Sequence, residues 1–206
     1  RGDVAGFLIE PVQGKGVAVS PPGFLPAAQR LLRDHGAVLI VDEVQCGLGR
    51  TGEFFAFQHD NVEPDLIATA KALSGGYVPV GATIGRDWIF KKVYSSMDRV
   101  LVHDSTFGSN AQAMAAGLAT LHVLDSDDVV AHARNIGAHL QARLAALIGQ
   151  DALLRDVRGR RLMAGSGCGR PTSRNISPPG RAWKAPPPGL FRAAWVHVRA
   201  RITPDV

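Results

Sequence analysis

The chain has 206 residues, 46% of them apolar and 20% charged, with a formal net charge of +5. It is long enough to bury the core of one domain, or of one and a fraction, and no apolar run approaches the ~20 residues of a membrane span. Its only cysteines, Cys46 and Cys168, imply no disulfide framework, and a reducing cytoplasm is the expected setting.

The charge is unevenly placed. Residues 1–154 hold 12 Lys+Arg against 16 Asp+Glu, and residues 155–206 hold 11 against 2. A basic tail points toward nucleic acid or an anionic surface, but the order of motifs below makes nucleic acid an unexpected partner. The start, Arg1-Gly-Asp-Val-Ala-Gly-Phe7, has no signal-peptide layout and runs straight into a strand. It reads as cut from something longer.

The elements follow in order. Phe7–Glu10 is a short apolar strand. Pro22–His35 reads as a helix with Leu25, Ala28, Leu31 and Leu32 on one face, stopped by Gly36. Val38–Val44 and Leu66–Lys71 are further strands, and Pro79–Gly85 is a weaker one. Asp87–Val93 is a short helix, Asn110–Val123 a small-residue helix. Asp127–Ile148 is a long helix with Val130, Ala133, Ile136, Leu140, Leu144 and Leu147 as its stripe. Strands alternating with helices predict an α/β fold with a mostly parallel sheet. Beyond about Arg160 no period survives, and Pro, Gly, Ser and Arg predict disorder.

Two apolar strands each deliver one ionisable group at the carboxyl end. Ala37-Val-Leu-Ile-Val-Asp42 ends in a carboxylate and Asp65-Leu-Ile-Ala-Thr-Ala-Lys71 in an amine. In an open α/β sheet, ligands bind at that edge. An amine for an imine and a carboxylate for a pyridinium are what a protein needs to hold pyridoxal phosphate. A lysine that closes a strand is more often a solvated charge, and an aspartate there is often a turn or cap residue. Five largely apolar residues before Lys71 predict a partly desolvated stem, which favours a nucleophilic amine. Ser74-Gly-Gly76 would let backbone approach a ligand. Strand alternation sends Glu43 to the face opposite Asp42.

Other motifs are weaker. Gly47-Leu-Gly-Arg-Thr-Gly52 is neither a dinucleotide fingerprint nor a P-loop and reads as a flexible active-site or interface loop. Ser105-Thr106 precede Gly108-Ser-Asn110 and a helix, which suits either simple capping or a phosphate. His35, His59, His103 and His122 lack ligand spacing, so no metal site is expected. Ser20, Ser74 and Ser105 sit in no nucleophile elbow.

Four strings in order carry a specific likeness: Ile9-Glu-Pro-Val-Gln-Gly14; Leu39-Ile-Val-Asp-Glu-Val-Gln45 with the glycine loop; Pro64-Asp-Leu-Ile-Ala-Thr-Ala-Lys71-Ala-Leu-Ser-Gly-Gly76; and Ser105-Thr-Phe-Gly108. Together they resemble the class III (subgroup II) aminotransferases, such as the acetylornithine, ornithine and ω-amino acid enzymes, over residues 1 to about 163. The resemblance implies a fold-type I pyridoxal-phosphate-dependent transferase. Lys71 would form the Schiff base and act as general base, and Asp42 would pair with the pyridine nitrogen. Val44 would pack on the ring and Gln45 would bond its hydroxyl. Ser105 and Thr106 would reach the cofactor phosphate of a neighbouring subunit in a homodimer. Glu10 would stand at the substrate entrance, where Lys15 replaces the acid common in relatives. An amino acid or ω-amine would be the donor and a 2-oxo acid the acceptor.

The resemblance also divides the chain. Residues 1–150 correspond to an incomplete cofactor-binding large domain and 151–165 to the start of a small C-terminal domain, with Arg161 where glycine is usual. Residues 166–206 match nothing in the family and suit an out-of-frame translation of GC-rich DNA. Segments that would supply the first phosphate loop, the ring stack and the substrate-carboxylate arginine are missing. The chain alone is therefore expected to be inactive or nearly so. The alternative is a non-catalytic remnant whose basic tail binds nucleic acid or an anionic surface.

Overall fold

The computed structural model describes residues 3–150 and 154–168. Of the expected tail, residues 166–206, the part from 169 onward lies outside them, and residues 166–168 belong to a strand rather than to a disordered segment. A four-stranded sheet runs in the order β1 (Gly6–Ile9), β2 (Val38–Asp42), β3 (Leu66–Thr69), β4 (Ala82–Gly85). The first two pairings are parallel and the last antiparallel, so the expected mostly parallel α/β sheet is present. A separate antiparallel hairpin pairs β5 (Leu154–Arg160) with β6 (Met163–Cys168).

Parallel register fixes which side chains share a face. Ile40 pairs with Leu66, Val41 with Ile67, and Asp42 with Ala68. Val41 and Ile67 therefore face one way and Asp42 with Ala68 the other. The Val41 face is the core side. Helix α1 (Phe24–Asp34) covers it, and Leu25, Leu39, Val41 and Val62 pack there with Phe7, Ile9, Leu32, Phe57 and Ile67 around them. Thr69 is buried on the same face, and its hydroxyl has no partner among the described residues.

The α1 stripe differs from the sequence expectation. Leu31 is 61% exposed, whereas Gln29 is buried and donates to Glu63 O at 2.5 Å. The inward positions are 25, 29 and 32, spaced at i, i+4 and i+7. A polar side chain is tolerated inside because a backbone carbonyl receives its amide. Gly36 ends the helix in the left-handed region (φ +67) as expected.

Helices α2 (Asp87–Val93), α3 (Ala111–Ser126) and α4 (Val129–Ala146) follow. On α4, Ala133 and Gly137 are buried, Val130, Leu140 and Leu144 of the expected stripe are half-buried, and Ile136 stays exposed, as does Leu147 just past the helix end, so small residues make the closest contact. The reason is close approach. A Cβ at Gly137 would lie 2.6 Å from the Arg161 backbone, and Gln141 Nε2 donates to Arg161 O at 3.2 Å.

Arg161 begins the two-residue turn between β5 and β6 at φ +54. That region is strained for a residue with a Cβ, which gives a physical reason for the glycine that the resemblance expects there. Arg161→Gly should raise the urea midpoint, by about 1 kcal/mol of stability.

Candidate active site

The strand β2 ends with two carboxylates aimed at opposite faces. Asp42 is half-buried at the carboxyl edge, and its Oδ1 accepts the Val44 amide at 3.0 Å. Glu43 is only 1% exposed on the core side. Its Oε1 accepts the Phe57 amide at 2.9 Å, and its Oε2 accepts the Ala56 amide at 3.0 Å and the Cys46 thiol at 3.2 Å. Burial, with a smaller push from Asp42, holds the Glu43 carboxyl above its ordinary range although the two amides pull it down. Burial and the adjacent Glu43 also push the Cys46 thiol up, so Cys46 is an inert core group rather than a nucleophile.

Lys71 lies at the same edge. Asp42 pairs with Ala68, three residues before it, and the Glu43 amide donates to Ala68 O at 2.8 Å. The strand stops at Thr69, and Lys71 opens a 3-10 turn, Lys71–Ser74, at φ +47. Its side chain is exposed, which corrects the expected desolvated stem. The strand ends before the lysine, so no neighbouring strand covers it. A non-glycine residue in the left-handed region is strained and marks functional sites often enough to count here.

The turn is held from behind. Ser74 is buried, and its Oγ donates to Val78 O at 2.5 Å and accepts the Val78 amide at 3.2 Å. Helix α3 packs on the turn through its small residues, with Gly117 close to Leu73 O. Gly76, at φ +84, has open space where a side chain would stand. An exposed amine, a half-buried carboxylate on the same edge and unobstructed glycine backbone beside them fit the charges of a pyridoxal phosphate ring and its aldehyde.

The remaining candidates divide into two groups. Val44 and Gln45 follow Glu43 and are half-buried. Gln45 packs against Gly14, and Glu10 Oε2 accepts the Gly14 amide at 2.6 Å. Glu10, Val44, Gln45 and Asp42 therefore form one neighbourhood. Ser105 and Thr106 are exposed on a separate segment. They do not cap α3, because Asn110 Oδ1 accepts the Ala113 amide at 2.9 Å. Capping is thus removed as the account of Ser105 and Thr106.

A hollow of about 230 Å³ lies beside Glu10, lined also by Gln13, Ser20 and Phe24, and another of about 280 Å³ by Glu53, Phe54 and Asp128. Neither includes Lys71 or Asp42.

The glycine loop is a packed junction rather than an open, flexible loop. Cys46–Gly49, Thr51 and Gly52 are buried. A Cβ at Gly49 would meet Val130 at 3.3 Å and one at Gly52 would meet Arg134 Cα at 3.0 Å, so these glycines admit α4 rather than a phosphate. Arg134 Nε donates to Gly52 O at 2.8 Å. Further along, Arg160 on β5 pairs with the nearly buried Asp60 at 3.1 Å. His59 lies between these groups with Nε2 3.0 Å from Thr51 O. Burial and the Arg160 charge hold its pKa below the ordinary value.

Residues 1–186 match the family described as aminotransferase class-III. The chain belongs to the class III aminotransferases. The match continues past residue 163, where the recognisable motifs end. Among solved structures, an ornithine aminotransferase from Toxoplasma gondii, with partial occupancy of PLP at its active site, is 37% identical over 82% of this chain and 39% of that chain, at TM-score 0.76. A thermostable (S)-enantioselective omega-transaminase from Thermomicrobium roseum is 38% identical over 80% of this chain and 37% of that one, also at 0.76. An acetylornithine aminotransferase from Elizabethkingia anophelis is 36% identical over 80% and 42%, at 0.74. The class III chain described here therefore spans about two fifths of the length of these relatives.

Glu43 gives the site a pH signature. Its folded-state pKa is raised, so its contribution to stability is present below about 4.5 and is lost as pH rises through the raised value. Glu43→Gln should abolish that slope. It also turns one acceptor toward an amide donor, which costs about 1–3 kcal/mol. Urea unfolding from below pH 4.5 to neutrality reads both effects.

Proposed function

We propose that this chain is the partial cofactor-binding domain of a pyridoxal-phosphate-dependent aminotransferase whose parent moves an amino group from an amino acid or ω-amine to a 2-oxo acid. The observation that carries the reading is the pairing of Asp42 with the strand that presents Lys71, with Lys71 in a strained backbone conformation at the sheet edge. Bound there, the cofactor supplies an aldehyde for amine capture and an electron-withdrawing ring.

The chain's own groups have distinct tasks. The Asp42 carboxylate, fixed by the Val44 amide, holds a proton on the ring nitrogen through its charge. Lys71 Nζ would hold the cofactor aldehyde and, when free, would carry protons as a general base. Val44 would pack against the ring, and Gln45 would donate toward its hydroxyl. Glu10 faces the cationic end of the donor. Ser105 and Thr106 serve the phosphate of a neighbouring subunit in a homodimer. The exposure of Tyr77 (90%), Met97, Leu101 and Phe107 supports an assembly that covers this stretch.

These 206 residues span about two fifths of the length of the relatives; by themselves they would bind the cofactor but turn over slowly or not at all, because much of enzymatic rate comes from positioning. Mixing the chain with pyridoxal phosphate should give a visible absorption band that Lys71→Ala abolishes. Transfer from an ω-amino donor to a 2-oxo acid should stay at background. A band that survives in Lys71→Ala overturns the site assignment, and salt-sensitive binding of nucleic acid in place of any band favours the remnant with a basic tail.

A further inference from the structure

The loop that leaves β1 carries strain at its tip and a site residue at its base. It returns through a bridge between Val12 and Val19, with the Gln13 amide donating to Ala18 O at 2.8 Å. At the tip, Gly16 has φ +87 and Val17 φ +55. A β-branched residue there is a genuine outlier. Such a conformation persists only where the surroundings over-determine it.

The surroundings are the C-terminal hairpin. Val17 is 7% exposed and clusters with Val12, Cys46, Ala56 and Met163. Two hairpin positions facing it have no side chain. A Cβ at Gly159 would come 2.9 Å from Val17 Cγ1, and one at Gly165 would come 2.9 Å from Val17 Cβ. Val17 is thus a knob in a hole that two glycines leave open. Beside it, Arg158 Nε on β5 donates to Gly16 O at 2.7 Å, and Asp156 pairs with the same guanidinium.

The strained tip connects directly to the candidate site. Gly14 gives its amide to Glu10 Oε2 at 2.6 Å. A Cβ on Gly14 would lie 2.5 Å from Gln45 Cγ and 3.0 Å from Glu10 Oε2. Any shift of residues 14–17 therefore moves the acceptor contact of Glu10 and the packing of Gln45 together.

We propose that Arg158 and Val17 are positioning residues: through the loop 14–17 the C-terminal hairpin sets where Glu10 and Gln45 stand in the site. The functional meaning rests on the reading above, in which Glu10 faces the donor and Gln45 the cofactor ring. Arg158 lies 142 residues further along the chain than Gly16, and among the described residues no hydrogen bond joins the hairpin to Glu10 or Gln45. Its influence passes through the Gly16 carbonyl, the Val17 knob and the cluster that Met163 shares with Val12 and Cys46.

The test is amide hydrogen exchange on the 206-residue chain without cofactor or substrate. The Gly14 amide reports the loop, and the Asp65 amide, bonded to Leu39 O at 2.8 Å, reports the sheet. In Arg158→Met, the exchange rate of Gly14 relative to Asp65 should rise by at least about fivefold. Arg158→Lys, which keeps a cationic donor in reach of Gly16 O, should return the ratio to near the wild-type value. A smaller rise in Arg158→Met overturns the proposal, as does an equal acceleration of both amides or a lysine variant that behaves like methionine. Because no cofactor is present, failure of this coupling and failure of Lys71 to capture pyridoxal phosphate are separate results.

Discussion

A buried carboxylate organises this fold. Taking an ionisable group out of water costs several kcal/mol unless donors replace the solvent. Glu43 receives two backbone amides and a thiol in that role. Those bonds hold the chain at Ala56 and Phe57 against the end of β2, which fixes the course of the glycine loop between them. Onto that loop docks α4, through Arg134, and just beyond it the hairpin pairs Arg160 with Asp60. The same alternation that sends Glu43 inward leaves Asp42 facing outward at the strand end. One strand terminus thus serves the core on one face and presents the candidate site on the other.

Lys71 depends on the opposite device. The third strand stops early, and the residue that would have continued it turns into the left-handed region. Nothing about the lysine itself enforces this. The turn persists because Ser74 ties its far end to Val78 and because α3, with Ala113 and Gly117 on its inner side, comes close enough to back it. An exposed amine on a braced turn suits a group that must exchange one imine partner for another.

The strands were legible because apolar runs closed by a charge are a strong local signal, and the motif order pointed to the family. The face opposite Asp42 was read correctly for Glu43, but its capture of the Ala56 and Phe57 amides was not, because those partners lie thirteen and fourteen residues away. The glycine loop misled for a related reason. Its glycines answer to Val130 and Arg134, on a helix some eighty residues later. Periodicity also placed Ile136 and Leu147 in the α4 stripe, but both are exposed, and Gly137 joins Ala133 as the buried pair. The strain at Val17 has no sequence signature, since valine is among the residues least expected at positive φ.

The central claim is that the amine at Lys71 and the carboxylate at Asp42 serve one cofactor. Reduction of the pyridoxal-phosphate-loaded chain with borohydride, followed by proteolysis and mass spectrometry, tests it most directly. The account predicts the added mass on the peptide carrying Lys71, with labelling there sharply reduced in Asp42→Ala. Label spread evenly over Lys15, Lys91 and Lys92, or unaffected by loss of Asp42, would contradict it.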